Sequence, residues 1–169
     1  MRIQTESRKR FFEPKEVPSG LIILIDSREQ MPLGFKSVPI EYINLKVGDY
    51  SCKGFEKAGI SLERKTITDF LLSISHNRKR FEKEIERLSK FEFAAILIEA
   101  NFDGLIHSPI PQSRINPLAV LSTINKIEIE YHIPVNLVGG RQNCAEMVFN
   151  CLSLYFRKKR QGLELGRKE

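Results

Sequence analysis

The stretch "GDYSCKGFEKAGISLERKTITDF", residues 48–70, decides how the rest of the chain is read. Within it "ISLER" (60–64) alternates as a strand does, with Ile60 and Leu62 on one side and Ser61, Glu63 and then Lys65 on the other. Glu63 and Lys65 therefore share a face, and Arg64 points away from them. Charged side chains aligned beside so apolar a sequence suit either a solvated edge or a site assembled around a metal. "SCKGFEKAG" (51–59) has the glycines of a hairpin loop. Thr66-x-x-Asp69 reads as a capping box, and Phe70, Leu71 and Ile74 supply the apolar side of the helix it starts.

Outward from this stretch, "LIILI" (21–25) is wholly apolar, as expected of a strand covered on both faces, and "IEYINLKV" (40–47) is β-rich and ends at the turn residue Gly48. "NRKRFEKEIERLSKF" (77–91) is a helix with Phe81, Ile85 and Leu88 on its apolar side, and "FAAILIEA" (93–100) is a second buried strand. "NFDGLIHSPIPQSRINP" (101–117) reads as a long loop, 118–131 as a helix, "IPVNLVGG" as a strand, and 144–160 as a last helix. Strands that begin as a meander and continue in alternation with helices predict an α/β fold, a mixed sheet with helices on both faces. The expected organisation is a basic tail over 1–19, one folded domain over 20–160 and a short tail over 161–169, without internal repeats.

Lys and Arg number 27 against 21 acids, a net charge of +6 that favours polyanionic partners. The three cysteines, Cys52, Cys144 and Cys151, lack zinc-site spacing, and the last two fall on one face of a helix as small apolar side chains. A reducing, intracellular setting follows: cytoplasm or nucleoid for a prokaryotic or phage protein, the nucleus for a eukaryotic one. No apolar run reaches the ~20 residues of a membrane span, and the N-terminus lacks a signal-peptide core. His76, His107 and His132 show no ligand spacing, and nothing near Ser27 supports a nucleophilic triad.

Acids at strand ends carry the chemistry. Asp26 follows "LIILI" and is trailed by Arg28 and Glu29; Asp49 follows Gly48; Glu63 and Lys65 lie together on the third strand. Hard carboxylate oxygens of this kind bind Mg²⁺, which keeps waters and takes substrate phosphate in its remaining positions. Lys65 would orient a water or offset phosphate charge.

"IDSRE" (25–29), "VGDY" (47–50), "LERKTITD" (62–69), "SISHNRKRFEKE" (73–84) and "AILIE" (95–99) resemble, in order, the XPF-type nuclease domain family, whose signature is GD, a variable gap, then ERKxxxD. The matching residues are Gly48, Asp49, Glu63, Arg64, Lys65 and Asp69. The resemblance implies a restriction-endonuclease-like fold and hydrolysis of branched, forked or flapped DNA with Mg²⁺ or Mn²⁺, in repair, recombination or genome processing. It implies Asp49 and Glu63 as metal ligands, Asp26 in or beside the metal shell, and Lys65 as catalytic. Arg28 and Glu29 would brace the site or reach phosphate, Arg64 would act from behind the ligands, and Asp69 would cap its helix. Arg78 and Glu82 occupy the place of a family Arg and its polar partner, after Asn77 where the family has Gly.

Among the basic clusters, Arg78-Lys79-Arg80 is expected to contact the DNA backbone. Arg8-Lys9-Arg10 and Arg157 to Arg160 suit solvated faces or a helix C-terminus. Phe11 and Phe12 would stack on unpaired bases or anchor the N-terminal segment. Met147, Val148, Cys151, Leu152, Leu154, Tyr155 and Phe156 give the last helix an apolar surface wide enough for core packing plus a homodimer seam. The family's larger members carry a helicase-like module and paired helix-hairpin-helix motifs, for which this chain has no room. A DNA-binding subunit that is inactive, or that needs a further protein subunit, is therefore the alternative reading.

Overall fold

A computed structural model describes residues 11–107 and 116–162. The cluster Arg8-Lys9-Arg10 and the Pro-rich part of the 101–117 segment lie outside them. The described residues form six strands and five helices: β1 Ile23–Asp26, β2 Ile40–Ile43, β3 Tyr50–Cys52, β4 Ile60–Thr66, α1 Ile67–Ser75, α2 Arg78–Leu88, β5 Phe93–Glu99, α3 Phe102–His107, α4 Pro117–Tyr131, β6 Val135–Leu137 and α5 Arg141–Arg160. No helix among them is long and apolar enough to cross a membrane.

The strands make one mixed sheet in the order β2-β1-β3-β4-β5-β6. Its right half is parallel, β4 with β5 and β5 with β6, while β3 runs antiparallel to both β1 and β4. The expected meander is corrected at the other end. β2 does not pair with β3; it lies parallel to β1, with Ile23 opposite Ile40 and Asp26 opposite Ile43. Residues 27–39 are long enough to return the chain without a helix, and β1, buried throughout, takes the interior place between two neighbours.

Strand alternation then divides the core in two. Ile23, Ile25, Tyr50, Cys52, Ile60, Leu62, Ala95 and Leu97 face α5, meeting Cys144, Val148, Leu152 and Tyr155. Ala94, Ile96 and Ile98 face the opposite way, onto Phe70, Leu71, Phe81, Ile85, Leu88, Val120 and Ile127. Phe70 and Phe81 join α1 to α2 edge to face, with centroids 6.0 Å apart. Burial of the three free thiols pushes Cys52 and Cys144 up to about 12 and Cys151 to about 11, which leaves them inert as thiolates.

Three local findings correct the sequence reading or choose between its alternatives. The loop over 101–117 opens with α3, whose first turn is closed by Gly104 N–H donating to the Asn101 side chain at 2.7 Å and whose Leu105 is buried. Phe12 does not present its ring for stacking: its backbone bridges Phe35, and its ring lies 5.5 Å from that of Phe149. The basic end of α5 is partly engaged, with Lys159 paired to Glu92 at 2.6 Å and Arg160 donating to the Ser19 carbonyl at 2.7 Å. On α5, Val148, Leu152, Tyr155 and Phe156 are buried and Cys151 packs against them, leaving Met147 and Leu154 exposed.

Candidate active site

The site forms where β1, β3 and β4 end side by side. Asp26 N–H donates to the Asp49 carbonyl at 2.9 Å, and Asp49 N–H to the Leu62 carbonyl at 2.9 Å. Main-chain bonds thus tie Asp26 at the end of β1 to Asp49 just before β3, and Asp49 to the residue before Glu63 in the middle of β4, where the sequence reading expects all three acids at strand ends. Gly48 makes this approach possible. Its φ of +73° disfavours any side chain, and a Cβ there would stand 2.2 Å from Ser61 Oγ, which donates to the Val47 carbonyl. The glycine of the GD pair is thus required by the contact between the turn and β4.

The strand ends open into a cleft of about 940 Å³ whose lining includes Asp26, Asp49, Glu63, Lys65, Asp69 and Glu84. Lys65 Nζ lies 2.7 Å from Glu63 Oε1 and 3.2 Å from Glu84 Oε1, with the Phe81 ring centroid 5.3 Å away. Asp49 Oδ2 accepts the Arg64 backbone N–H at 2.8 Å. Asp26 is differently engaged: both its oxygens are held by Arg28, from the backbone N–H at 2.7 Å, Nε at 2.9 Å and Nη2 at 2.6 Å. Arg28 Nη2 also donates to the Leu45 carbonyl.

Burial sets the charge state. It pushes the Asp49 carboxyl up to about 6, against the hydrogen bond from Arg64, with the charge of Glu29 adding to the rise. Burial, then the charge of Asp49, pushes Glu63 well above the usual carboxylate range despite Lys65. Burial alone would lower Lys65, but Glu63 and Glu84 hold its ammonium above the ordinary value. Asp26 resists its own burial because Arg28 bonds to it, and its carboxyl sits below the usual value.

Among the described residues, no three acids, histidines or cysteines stand close enough to form a metal site by themselves. Mg²⁺ does not require three, since one or two carboxylates with water and phosphate complete its shell. Asp49 and Glu63 fit that role: they are hard donors, adjacent in the sheet, each raised by burial and by neighbouring carboxylates, and a dication would relieve both. Asp26, neutralised by Arg28, fits a role beside the shell better than in it.

Arg64 projects to the α5 side, where Nε meets Glu99 Oε1 at 2.7 Å and Nη1 lies 3.5 Å from Glu29 Oε1 and 3.2 Å from the Met31 carbonyl. Arg141 donates to the Met31 and Pro32 carbonyls, so the two arginines pin the 27–36 segment along the cleft rim. Asp69 makes the reciprocal cap: its N–H donates to Thr66 Oγ1 at 3.1 Å, and that hydroxyl donates to Asp69 Oδ2 at 2.7 Å.

The basic rim overlaps the expected cluster in part. Arg78 and Glu82 pair with each other at 3.3 Å, both exposed, on the flank of α2 away from the cleft. Lys79 and Arg80 do line the cleft, joined by Lys46, Lys83 and Arg87. Glu84, Lys83, Arg87 and Lys46 were not singled out in the sequence. For Glu84 and Arg87 the signal is helical: with Arg80 they form one i, i+4, i+7 row beside the core row Phe81, Ile85, Leu88.

Comparison with known proteins completes the description. A sequence profile of the ERCC4 domain matches residues 12–151. The solved structure of XPF from Aeropyrum pernix superposes with a TM-score of 0.62 at 20% identity, covering 83% of this chain and 68% of that one. The same XPF in complex with DNA gives 0.61 at 20% identity, over 88% of this chain and 68% of that one. No curated protein matches in sequence.

Proposed function

The chain belongs to the ERCC4 domain family and has the restriction-endonuclease-like fold of XPF, and on that premise we propose that it is a divalent-metal-dependent endonuclease that cuts branched, forked or flapped DNA. The observation that carries this reading is the convergence of Asp49, Glu63 and Lys65 in one cleft rimmed by Lys46, Lys79, Arg80, Lys83 and Arg87. The DNA complex of the Aeropyrum pernix XPF, built on the same fold, supports DNA as the polyanion for that rim.

Asp49 and Glu63 would hold Mg²⁺ or Mn²⁺. When bound, the ion supplies positive charge at the scissile phosphate and a water acidic enough to attack it. The protein's own part is positional and electrostatic. Lys65 remains an ammonium, because its flanking carboxylates hold its pKa up, so it serves as a donor to phosphate or water and not as a general base. Arg28 keeps Asp26 ionised and fixed beside the ligands, and the rim cations track the backbone phosphates. If these five meet phosphates, affinity falls on the order of five-hundredfold between 50 and 200 mM salt. A homodimer across α5 would rest on Met147 and Leu154, the two apolar side chains that the core leaves exposed there. An intracellular location accords with the free, buried thiols.

The test is cleavage of labelled fork, 3′-flap and linear duplex DNA with Mg²⁺, with Mn²⁺ and with chelator, beside Lys65→Ala. We expect metal-dependent cutting of the branched substrates and a loss of at least about a thousandfold in the variant, roughly 4 kcal/mol of transition-state stabilisation. Salt-sensitive binding without cutting would instead favour the partner-dependent or inactive DNA-binding subunit.

A further inference from the structure

Lys65 has two carboxylate partners of different origin. Glu63 lies on the same strand, next to the cleft end where Asp49 stands. Glu84 arrives from α2, on the helix that also supplies the Phe81 ring beneath the ammonium. The Lys65 and Glu63 side chains are each 9% exposed and Glu84 is 28% exposed, so the ammonium has little water to replace a lost partner. A buried ammonium without an anion is strongly disfavoured.

We infer that Glu84 is the positioning residue of Lys65: it keeps the ammonium oriented in the cleft when Glu63 is committed to a divalent ion. The inference rests on the endonuclease reading above and extends it. The helix fixes Glu84 for this task. Phe81, Ile85 and Leu88 are buried, which locks the rotation of α2 and sets the adjoining row with Glu84 toward β4. Arg80 and Arg87 stand one turn to either side of Glu84 in that row, so the carboxylate also sits between two cations that suit the incoming backbone. On this view the two acids divide their work. Glu63 serves the metal with Asp49, and Glu84 serves the lysine.

The test separates that division from a plain structural ion pair. Glu63→Gln removes the strand partner's charge without any metal, and Glu84→Gln and the double variant remove the second partner or both. The readout is the ¹⁵N–¹H resonance of the Lys65 ammonium, which is visible when a held ion pair slows exchange. It is expected to persist in wild type and in Glu63→Gln and to vanish in the double variant. Loss of the signal in Glu63→Gln alone, or its survival in the double variant, would overturn the inference.

With metal, Glu84→Gln is expected to lower kcat about 30- to 100-fold with KM for DNA little changed, and Glu84→Asp to recover part of that loss. Mn²⁺ affinity, read by calorimetry, should stay within about threefold of wild type, short of the tenfold or more lost with a partner that tunes the metal. A tenfold loss of Mn²⁺ affinity would make Glu84 a ligand and sink the inference, as would an unchanged kcat. A wild-type chain that cuts none of the DNAs would sink the endonuclease reading, and the ammonium resonance would still decide for Glu84.

Discussion

Arg64 and Lys65 are neighbours on one strand, and alternation sends them into two different environments. On the α5 side, Arg64 meets Glu99 and Glu29 and shares the Met31 carbonyl with Arg141, so two acids face two guanidinium groups and the surplus N–H donors find backbone oxygens. On the other side, one ammonium stands among Glu63, Glu84 and, behind them, Asp49. The first network is balanced. The second carries more acid than base; Asp49, pushed up to about 6 chiefly by its burial, feels Glu29 from the first side and Glu84 from the second. Folding gains nothing from such an excess, whereas the dication and phosphate proposed for this site would offset it. The difference between the two faces separates structure from chemistry within a single ERK triplet.

That comparison is broken most directly by removing each cation. Arg64→Ala should cost about 3 kcal/mol in urea unfolding, because it strands Glu99, whose side chain is 13% exposed, in a setting where the Arg64 side chain is 7% exposed. Lys65→Ala should cost less. Glu63 and Asp49 are already pushed toward their neutral forms and can take up protons when the ammonium goes. If Lys65→Ala proves the more destabilising of the two, the α5 side is not the structural one.

A smaller effect of opposite sign tests the acid excess itself. Asp49 titrates near 6 in the folded protein and at an ordinary carboxylate value when unfolded. Its folded-state pKa is raised, so the stability that its neutral form contributes is complete below about pH 4 and is lost as pH rises through about 6. Asp49→Asn never ionises. In chelator at pH 8 it should therefore be more stable than wild type by about 1–2 kcal/mol, with no advantage at pH 4. Saturating Mg²⁺ should reverse the order, because only wild type gains from binding it. Thermal unfolding at the two pH values, with and without metal, reads all of this; an Asn variant less stable at pH 8 would refute the excess.

Much of this was legible in the residues, and the failures have a common cause. Alternation in "ISLERK" was enough to put Glu63 and Lys65 together and Arg64 apart, because a strand's period of two leaves no choice. The GD turn was legible too, though its reason lies in Ser61 Oγ, a neighbour in space. The position of β2 was not readable: a parallel partner for β1 depends on how residues 27–39 cross the sheet end. The rim of α2 failed for a similar reason. Phe81, Ile85 and Leu88 fix the buried side, but a helix has two flanks beside it, Arg80–Glu84–Arg87 and Arg78–Glu82. At about 100° per residue the sequence places both, and only the direction of β4 says which one faces the cleft.

The two flanks provide the finest version of the same contrast. Arg80 lines the cleft with no carboxylate hydrogen-bonded to its guanidinium among the described residues, while Arg78 is paired to Glu82 on the outer side. A phosphate contact released by substitution should weaken binding on every DNA alike and flatten the salt dependence by about one in the log–log slope. Arg80→Ala should do this, lowering affinity about three- to tenfold at moderate salt. Arg78→Ala removes an exposed i, i+4 pair worth at most about 0.5 kcal/mol and should leave both stability and the slope unchanged. Fluorescence anisotropy over a salt series on a fork and on plain duplex compares them. Equal slopes for the two variants would mean that DNA crosses the outer flank of α2, and the cleft would then lose its rim as the reason for binding at the proposed metal site.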